Sequence, residues 1–275
     1  MDKYIFHKKE FSLDELSFIE AEFSKKPEAN DGFHTLESEK SVDLAGIRRQ
    51  LSCDVSLLKE PFDGSQVRLL AIDMDSTLIA IECIDEIADM LDIKPQVSAI
   101  TEAAMRGELD FQESLIQRVA LLKGLPASEL QKVYDERLTL NPGAEQLVEY
   151  LKASGIKMAL VSGGFTFFTD KLKVKLGLDY TLANTLDIEN GCLTGKVAGD
   201  IVGAQSKADL LSKLSAELNI DSSQVVALGD GANDLLMFEE AGLSVAYHAK
   251  PTVQAQTDIQ LNCSGLNAIV DLLKA

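Results

Sequence analysis

The chain has 275 residues, which is enough for two domains or for one large domain with an insertion. Its hydrophobic content of 46% and its charged content of 25% are typical of a globular protein and exclude a disordered one. A formal net charge of −18 argues against nonspecific binding to nucleic acid or to anionic membranes. It also means that an anionic substrate would need local help from a metal or a few cations.

Targeting signals and cysteine patterns narrow the class further. Residues 1–10 carry charges but no apolar run, so no signal peptide is predicted, and no stretch approaches the ~18 apolar residues of a membrane span. The scattered cysteines form no Cys-x-x-Cys pair, which argues against a zinc site or a disulfide scaffold and suits the reducing cytoplasm. We predict that all of them are small core residues: Cys53, Cys83, Cys192 and Cys263.

Residues 1–66 predict a small N-terminal α+β region whose role the sequence does not reveal. Apolar residues recur at helical spacing over residues 11–23, residues 42–51 indicate a second short helix, and residues 55–58 indicate a strand. The stretch 60–65 contains proline and glycine and predicts a linker. A plain appendage and a regulatory or dimerising module both remain open.

The apolar run of residues 67–72 predicts a strand that is buried on both faces, as in parallel sheets. It ends at Asp73 and Asp75, and a period of two puts both carboxylates on one side of the extended chain. Ligands of open α/β sheets bind outside the carboxyl ends of the strands, so this pair lies where chemistry is expected. An Asp-x-Asp pair alone is weak evidence, because most such pairs are solvated loop acids or caps.

Residues 80–139 predict an all-helical insertion, because apolar stripes at helical spacing follow one another there without a strand pattern. From residue 140 onward, strand and helix patterns alternate, with one hairpin whose turn is Asn190-Gly191. This alternation predicts an α/β fold with a doubly wound, mostly parallel sheet and helices on both faces. We expect residues 67–79 and 140–275 to form the core and residues 80–139 to form a helical cap.

Three predicted strands end in polar signals that should meet at one edge of the sheet. They are Asp73-x-Asp75, Ser162-Gly163-Gly164 and the loop from Asp230 to Asp234. Carboxylates packed this closely repel one another, and a hard cation such as Mg²⁺ relieves the repulsion. Lys207 and the helix start at Ser162 and Gly163 offer a point charge and amides to a phosphate. Each piece alone has a structural explanation, but all of them together indicate a site.

These motifs, in this order and spacing, resemble the four motifs of the haloacid dehalogenase superfamily of phosphatases. The resemblance covers residues 67–275, and the helical block lies where that superfamily inserts its type-one cap. Within the superfamily, the stretches 73–86, 100–126 and 183–195 resemble the phosphoserine phosphatase family. Residues 1–66 are where the match fails. The fold implied is a Rossmann-like core of the haloacid dehalogenase type with a helical cap.

The resemblance also implies the chemistry. Asp73 would attack phosphorus and form an aspartyl-phosphate, and Asp75 would protonate the leaving oxygen and then deprotonate the hydrolytic water. Mg²⁺ would be held by the Asp73 side chain, the Asp75 backbone carbonyl and Asp230, with Asp234 acting through water or on Lys207. Ser162, Gly163 and Lys207 are expected to hold the phosphoryl oxygens, and Asn233 is expected to bind the substrate beside them.

Substrate recognition is expected from the cap. Phosphoserine carries an ammonium group, which Glu82 can pair, and a carboxylate, which Arg118 can hold in a bidentate fork. Met105 and Phe111 would form an apolar lid that excludes water. Without the family resemblance, a helix-start acid, a surface arginine and cap core residues would explain these four residues equally well.

Three alternatives stay open. A related phosphatase could act on another small phosphomonoester, although such a substrate would not need both Glu82 and Arg118. A receiver-type signalling module also presents acids, a hydroxyl and a lysine around magnesium, but it does not need Asp75 or a helical insertion. A binding module could keep the fold and lack turnover. We expect a small-molecule substrate, no nucleic acid or membrane partner, and either a monomer or a homodimer.

Overall fold

The computed structural model describes residues 2–106 and 108–275, and for Met105 it describes the backbone alone. The N-terminal region contains, in chain order, β1 (Asp2–Phe6), α1 (Leu13–Phe23), β2 (Glu28–Ala29), β3 (His34–Ser38), α2 (Leu44–Leu51) and β4 (Val55–Leu58). The strands form an antiparallel sheet in the order β2-β3-β1-β4. Both helices pack against one face of this sheet through a small core of their own, which includes Phe6, Ile19, Phe23 and Leu51.

The predicted α+β character of this region is confirmed, and α1, α2 and β4 lie where helical and strand patterns indicated them. Strands β1 and β3 were missed. In β3 the buried positions include His34 and Ser38, so the inward face is partly polar and shows no apolar alternation. In β1, Tyr4, Ile5 and Phe6 are all buried, because both faces of this strand are covered.

The N-terminal region contacts the rest of the chain through apolar packing, in which Ile5, Phe33 and Leu58 join the main hydrophobic cluster, and through one buried carboxylate. Asp54 accepts hydrogen bonds from the backbone N–H groups of Asn262, Cys263 and Ser264 at 2.9, 2.9 and 2.7 Å. Burial alone would raise the pKa of Asp54, but these three bonds hold it below its ordinary value. His7 adds a contact of 2.8 Å between its Nδ1 and Asp271 Oδ2. The two regions therefore meet at a seam that combines apolar packing with paired polar groups.

Replacing Asp54 with leucine should lower the free energy of unfolding by about 2–4 kcal/mol, because three backbone N–H groups lose a charged acceptor. The melting temperature should fall by roughly 5–10 °C, which thermal unfolding followed by circular dichroism measures. The matched control is Asp43→Leu, since the Asp43 side chain is 73% exposed. A melting temperature of Asp54→Leu equal to that of the control would contradict this account of the seam.

The remaining elements follow the predicted order, a helical block and then alternating strands and helices, and add two that were not predicted, helix Pro251–Gln254 and strand Ile259–Leu261. In chain order they are β5 (Leu69–Ile72), α3 (Cys83–Met90), α4 (Lys94–Met105), α5 (Phe111–Ala120), α6 (Ala127–Glu136), α7 (Ala144–Ala153), β6 (Lys157–Phe165), α8 (Thr166–Leu176), β7 (Tyr180–Glu189), β8 (Cys192–Ala198), α9 (Ala204–Leu218), β9 (Val225–Gly229), α10 (Leu235–Glu239), β10 (Leu243–Tyr247), α11 (Pro251–Gln254), β11 (Ile259–Leu261) and α12 (Ala268–Lys274).

The main sheet has the order β11-β10-β9-β5-β6-β7-β8 and is parallel except for the β7–β8 hairpin. Strand β5 lies between β9 and β6, and all four of its residues are buried. Leu70 and Ile72 belong to one hydrophobic cluster, while Leu69 and Ala71 belong to the other. Alternate residues thus serve a core on each face of the sheet, which confirms the doubly wound fold.

Helices α3 to α6 form the cap between β5 and α7. Pro95 lies in the first turn of α4, and Asp110 opens α5 in a capping box with Glu113. The chain leaves and re-enters the core at one place, because Ala80 N–H donates to Thr139 O at 2.9 Å. The hairpin tip also contacts the cap, since Gly124 N–H donates to Leu193 O at 2.8 Å. Sequence patterns gave no sign of that second attachment.

The prediction that all four cysteines are core residues is wrong for two of them: Cys53 and Cys83 are buried, whereas Cys192 is half-buried and Cys263 is exposed. Cys192 is the first residue of β8, directly after the hairpin turn, and Cys263 lies in the bend after β11, so their small apolar side chains were a poor guide to burial. Within the described part of the chain, no helix combines the length and apolarity that crossing a bilayer requires.

Candidate active site

The turn after β5 places two carboxylates at the carboxyl edge of the sheet. Asp73 is 5% exposed, and its Oδ1 accepts from the N–H of Met74 at 2.7 Å. Ser76 has a left-handed φ of 56°, which folds the chain back after Asp75. Asp75 Oδ1 then accepts from the N–H of Cys83 at 2.7 Å. Asp75 is therefore tied to the start of the first cap helix.

The end of β6 brings a hydroxyl group to Asp75. The predicted helix start at Ser162 and Gly163 is wrong, because β6 continues to Phe165 and α8 begins at Thr166. Ser162 is fully buried and donates to Asp75 Oδ2 at 3.2 Å, while its Oγ accepts from the N–H of Gly164 at 2.8 Å. A Cβ at Gly164 would lie 2.6 Å from Asp75 Oδ2, so a side chain at this position would displace the carboxylate. This close approach explains why a glycine follows in the motif.

The end of β9 and helix α9 supply a buried cation with two acidic partners. Lys207 Nζ lies 2.7 Å from Asp234 Oδ1 and 3.0 Å from Asp73 Oδ2, and both Lys207 and Asp234 are fully buried. Burial alone would lower the pKa of Lys207, but Asp234 and Asp73 outweigh burial, so this pKa lies above its ordinary value. A Cβ at Gly229 would collide with the Asp234 carboxylate.

Electrostatic repulsion is strong in this cluster. Burial and the neighbouring Asp73 raise the pKa of Asp75 to about 6 and that of Asp230 to about 6. Burial and Asp73 raise the pKa of Asp234 to about 7, although Lys207 opposes the shift. At neutral pH the site therefore holds more negative charge than its surroundings solvate well. Carboxyls with raised pKa values in a cleft are typical of functional sites.

The same cluster fits a hard divalent cation. Carboxylate oxygens of Asp73, Asp230 and Asp234 all lie within 4.8 Å of one another. Thr77 Oγ1 donates to Asp230 Oδ1 at 3.1 Å and fixes that carboxylate. Oxygen donors of this kind suit Mg²⁺ or another hard ion. The Asp75 carboxylate is not in this cluster, since its oxygens face Cys83 and Ser162, so only its backbone carbonyl is left for the predicted metal role.

Removing divalent cations should destabilise the protein more at pH 7.5 than at pH 5.5. Without metal, Asp230 and Asp234 have pKa values of about 6 and about 7, above the ordinary 3.8. The native state thus holds protons that the unfolded state releases between about pH 4 and pH 7, so the metal-free protein gains stability as pH falls through this window. Adding chelator should lower the melting temperature by about 5 °C at pH 7.5 and by less at pH 5.5.

Asp230→Asn provides the check on that pH effect. The variant should lose the stabilisation by magnesium and should melt above wild type when both are metal-free at pH 7.5, because one repelling charge is gone. Asp179→Asn is the control, since Asp179 pairs with Lys157 outside the cleft. An equal effect of chelator at both pH values would show that the acidic cluster does not carry the metal.

The acidic cluster opens into a cleft of about 810 Å³ between the core and the cap. Ser162, Gly163, Asp230 and Asn233 line its core side. Most of the residues predicted from the strand ends therefore lie together at one place. Lys207 lies just behind this wall, where it contacts Asp73.

The cap side of the cleft holds the predicted recognition residues. Glu82 Oε1 accepts from Ser76 Oγ at 2.7 Å, and burial together with Asp75 raises the pKa of Glu82 to about 7. Arg118 is half-buried; burial lowers its pKa, while Asp85 and Glu82 oppose that shift. Phe111 Cζ would lie 3.0 Å from a Cβ at Gly163. The cap therefore touches the segment Ser162-Gly163-Gly164 at the end of β6, which we call the phosphate-side loop. The Met105 side chain lies outside the described part of the chain, and its predicted contact stays a prediction.

Several cleft residues were missed by sequence reasoning. Lys250 and Asp85 line the cleft, and Thr77 orients Asp230. Lys250 follows β10, so the rule that strand ends point into the site would have found it. Asp85 lies on α3 near Glu82, where one acid among several carries no separate signal.

Comparisons with known proteins agree with this geometry. A family model described as a haloacid dehalogenase-like hydrolase matches residues 67–242. A phosphoserine phosphatase of Polaromonas sp. (strain JS666) is 53% identical over 215 residues, which is 76% of this chain and 91% of that protein. A phosphoserine phosphatase of Haemophilus influenzae is 54% identical over 233 residues, which is 85% of this chain and 74% of that protein.

A solved structure extends the likeness to the N-terminal region. The unliganded crystal structure of a probable phosphoserine phosphatase from Vibrio cholerae superposes with a TM-score of 0.86 at 38% identity. The match covers 99% of this chain and 86% of that one. Identity at this level over most of both chains shows the family as well as the fold. The chain therefore belongs to the haloacid dehalogenase-like hydrolases and, within them, to the phosphoserine phosphatase family of enzymes.

Proposed function

We propose that this chain hydrolyses O-phospho-L-serine to L-serine and inorganic phosphate through an aspartyl-phosphate, as the last step of serine biosynthesis. The observation that carries the proposal is one cleft that combines a nucleophile and acid–base pair, Asp73 and Asp75, with a carboxylate and a guanidinium on the cap, Glu82 and Arg118. A phosphate ester with both an ammonium and a carboxylate group uses all four. The family membership supports the same substrate.

The first half-reaction forms a bond between an Asp73 carboxylate oxygen and phosphorus, and the bond from phosphorus to the serine oxygen breaks. Asp75 gives its proton to that leaving oxygen, so L-serine departs neutral at its hydroxyl. A pKa of about 6 allows Asp75 to carry this proton in part of the molecules near neutral pH. In the second half-reaction Asp75 takes a proton from water, which attacks phosphorus and frees Asp73.

Phosphoryl transfer spreads charge over the nonbridging oxygens, so the surrounding donors matter most. We assign this role to Ser162, the Gly163 backbone, Lys207 and Asn233. Lys207 neutralises Asp73 and Asp234 and so holds the nucleophile in place. A bound Mg²⁺, which we place at Asp73, Asp230 and the Asp75 carbonyl with Asp234 behind it, would neutralise phosphoryl charge.

Glu82 and Arg118 would hold the amino-acid part of the substrate, and Phe111 with Met105 would close the cleft against water. As part of this proposal, we retain the division into an N-terminal region (1–66), a core (67–79 and 140–275) and a cap (80–139). We also place the reaction in the cytoplasm, because the proposed substrate is a small soluble molecule and the cysteine pattern suits a reducing compartment.

The deciding experiment measures phosphate release from a panel of phosphomonoesters with magnesium and with excess chelator. The panel contains phosphoserine, phosphothreonine, phosphoglycolate, glycerol phosphate and a hexose phosphate. We expect kcat/KM for phosphoserine to exceed that for every other ester by at least about 10²-fold, with no turnover in chelator. Equal turnover of the other esters would contradict the assigned substrate, and turnover in chelator would contradict the metal.

A further inference from the structure

A fully buried carboxamide, Asn184, lies next to the phosphate-side loop and has no place in the chemistry described so far. Its Nδ2 donates to Gly163 O at 2.8 Å and to Val202 O at 3.2 Å, and its Oδ1 accepts from the N–H of Val202 at 2.8 Å. One side chain thus holds the loop after β6 and the segment that leads into α9, which carries Lys207.

The local strand pairing explains why a side chain is needed at this point. Val161 lies opposite Leu182 and Phe165 lies opposite Asn184, so β6 contains two more residues than β7 in this stretch. A bulge of this kind takes backbone groups out of the sheet ladder. Gly163 O is one of these groups, and the Asn184 amide supplies its partner.

The bond to Gly163 O also determines the direction of the next donor. Gly163 C=O and Gly164 N–H belong to one peptide plane, so fixing the oxygen at one end fixes the N–H at the other. That N–H donates to Ser162 Oγ at 2.8 Å. Because the hydroxyl oxygen already accepts this bond, its own hydrogen is directed to a different acceptor, which here is Asp75 Oδ2 at 3.2 Å.

We propose that Asn184 is a positioning residue for the phosphoryl-transfer site. Through the Gly163–Gly164 peptide, it orients the Ser162 hydroxyl as a hydrogen-bond donor towards Asp75 and the phosphoryl site. Through Val202, it fixes the segment that leads to Lys207. The three hydrogen bonds of this series all run in the same direction: Asn184 donates to Gly163 O, Gly164 N–H donates to Ser162 Oγ, and Ser162 donates to Asp75. Each bond therefore polarises the next one.

The inference rests on the proposed reaction, and its test measures the binding of the two products, inorganic phosphate and L-serine, separately. Asn184→Leu keeps the approximate side-chain volume and removes three hydrogen bonds. We expect kcat per folded molecule to fall on the order of 10²-fold and the inhibition constant of inorganic phosphate to rise about tenfold. The inhibition constant of L-serine, which we assign to the cap side of the cleft, should change by less than about twofold.

Asp54→Leu is the matched control, because it also removes three buried hydrogen bonds but lies at the seam with the N-terminal region. It should lower the melting temperature as Asn184→Leu does, while kcat per folded molecule and both inhibition constants stay at wild-type values. The folded fraction of each variant is measured by near-ultraviolet circular dichroism at the assay temperature.

Asn184→Asp is the second variant. Between two carbonyl oxygens its carboxyl group is held protonated and can restore one donor, so it should lose less kcat than Asn184→Leu. If Asn184→Leu gives no folded protein, Asn184→Asp takes its place in the comparison with the control, with a smaller fall in kcat expected, because only one of the two donated bonds is restored. Unchanged kcat per folded molecule, or equal changes in the two inhibition constants, would overturn the positioning role.

A wrong substrate assignment and a wrong positioning role for Asn184 give different results in these experiments. If the wild-type enzyme does not prefer phosphoserine, the proposed substrate is wrong, and the Asn184 comparison is made with the best ester of the panel. The inhibition constant of phosphate still reports on the loop in that case, because the phosphate half of the site is common to all the esters.

Discussion

Asp73→Asn is expected to lower kcat at least about 10⁴-fold, because a carboxamide oxygen does not form the aspartyl-phosphate on which both half-reactions depend. The fold should survive. An asparagine Oδ1 can still accept from the N–H of Met74, and Lys207 keeps its 2.7 Å contact with Asp234. Loss of the Asp73 charge also removes one cause of the raised pKa values of Asp75 and Asp230.

The measurement is single-turnover and steady-state phosphate release, together with thermal unfolding of the same preparations. Asp179→Asn is the matched control, since it makes the same chemical change where Asp179 contacts Lys157 and the Met158 N–H. It should keep wild-type kcat. An Asp73→Asn protein that retains a tenth of wild-type kcat would refute Asp73 as the nucleophile, whatever its stability.

The sequence was most informative where position along a strand determines position in space. Asp73, Ser162 and Asp230 lie at the carboxyl ends of three neighbouring parallel strands, and parallel strands bring these ends to one edge. Their meeting in one cleft could therefore be predicted from the sequence alone. The alternation of helix and strand gave the doubly wound sheet and the helical cap for the same reason. The chemical roles of these residues stay predictions until variants are assayed.

Features that depend on contacts between distant segments could not be predicted. Asn184 looks like any polar residue in a strand, and only the bulge in β6 reveals which carbonyl it serves. Asp54 looks like a loop acid, yet it accepts from three N–H groups more than two hundred residues away. The partly polar inner face of β3 hid that strand from a search for apolar alternation. Burial of a paired polar group leaves no periodic signal.

The prediction with the largest effect on specificity concerns the cap. Arg118→Met should lower kcat/KM for phosphoserine about 10²–10³-fold, because a bidentate pair with the substrate carboxylate is lost in a water-poor cleft. Glycerol phosphate has no carboxylate, so its kcat/KM should change by less than about threefold. Arg118→Lys keeps the charge without the planar fork and should fall between the wild type and Arg118→Met.

Glu82→Gln tests the other end of the substrate in the same way. The carboxylate of Glu82 lies among like charges, with a pKa of about 7 in the empty cleft, and a substrate ammonium would favour its charged form. Its loss should again affect phosphoserine far more than glycerol phosphate. The effect should be larger above pH 7, where wild-type Glu82 is charged, than below pH 6.

Arg137→Met is the matched control for the cap. Arg137 pairs with Glu86 and Asp89 at 2.8 Å each, on cap helices but outside the cleft lining. Its removal should loosen the cap without changing the ratio of kcat/KM values for phosphoserine and glycerol phosphate. If Arg118→Met lowers both values equally, Arg118 stabilises cap closure and does not read the substrate carboxylate. A fall confined to phosphoserine assigns the recognition of the amino acid to Glu82 and Arg118, because cap stability affects both esters alike.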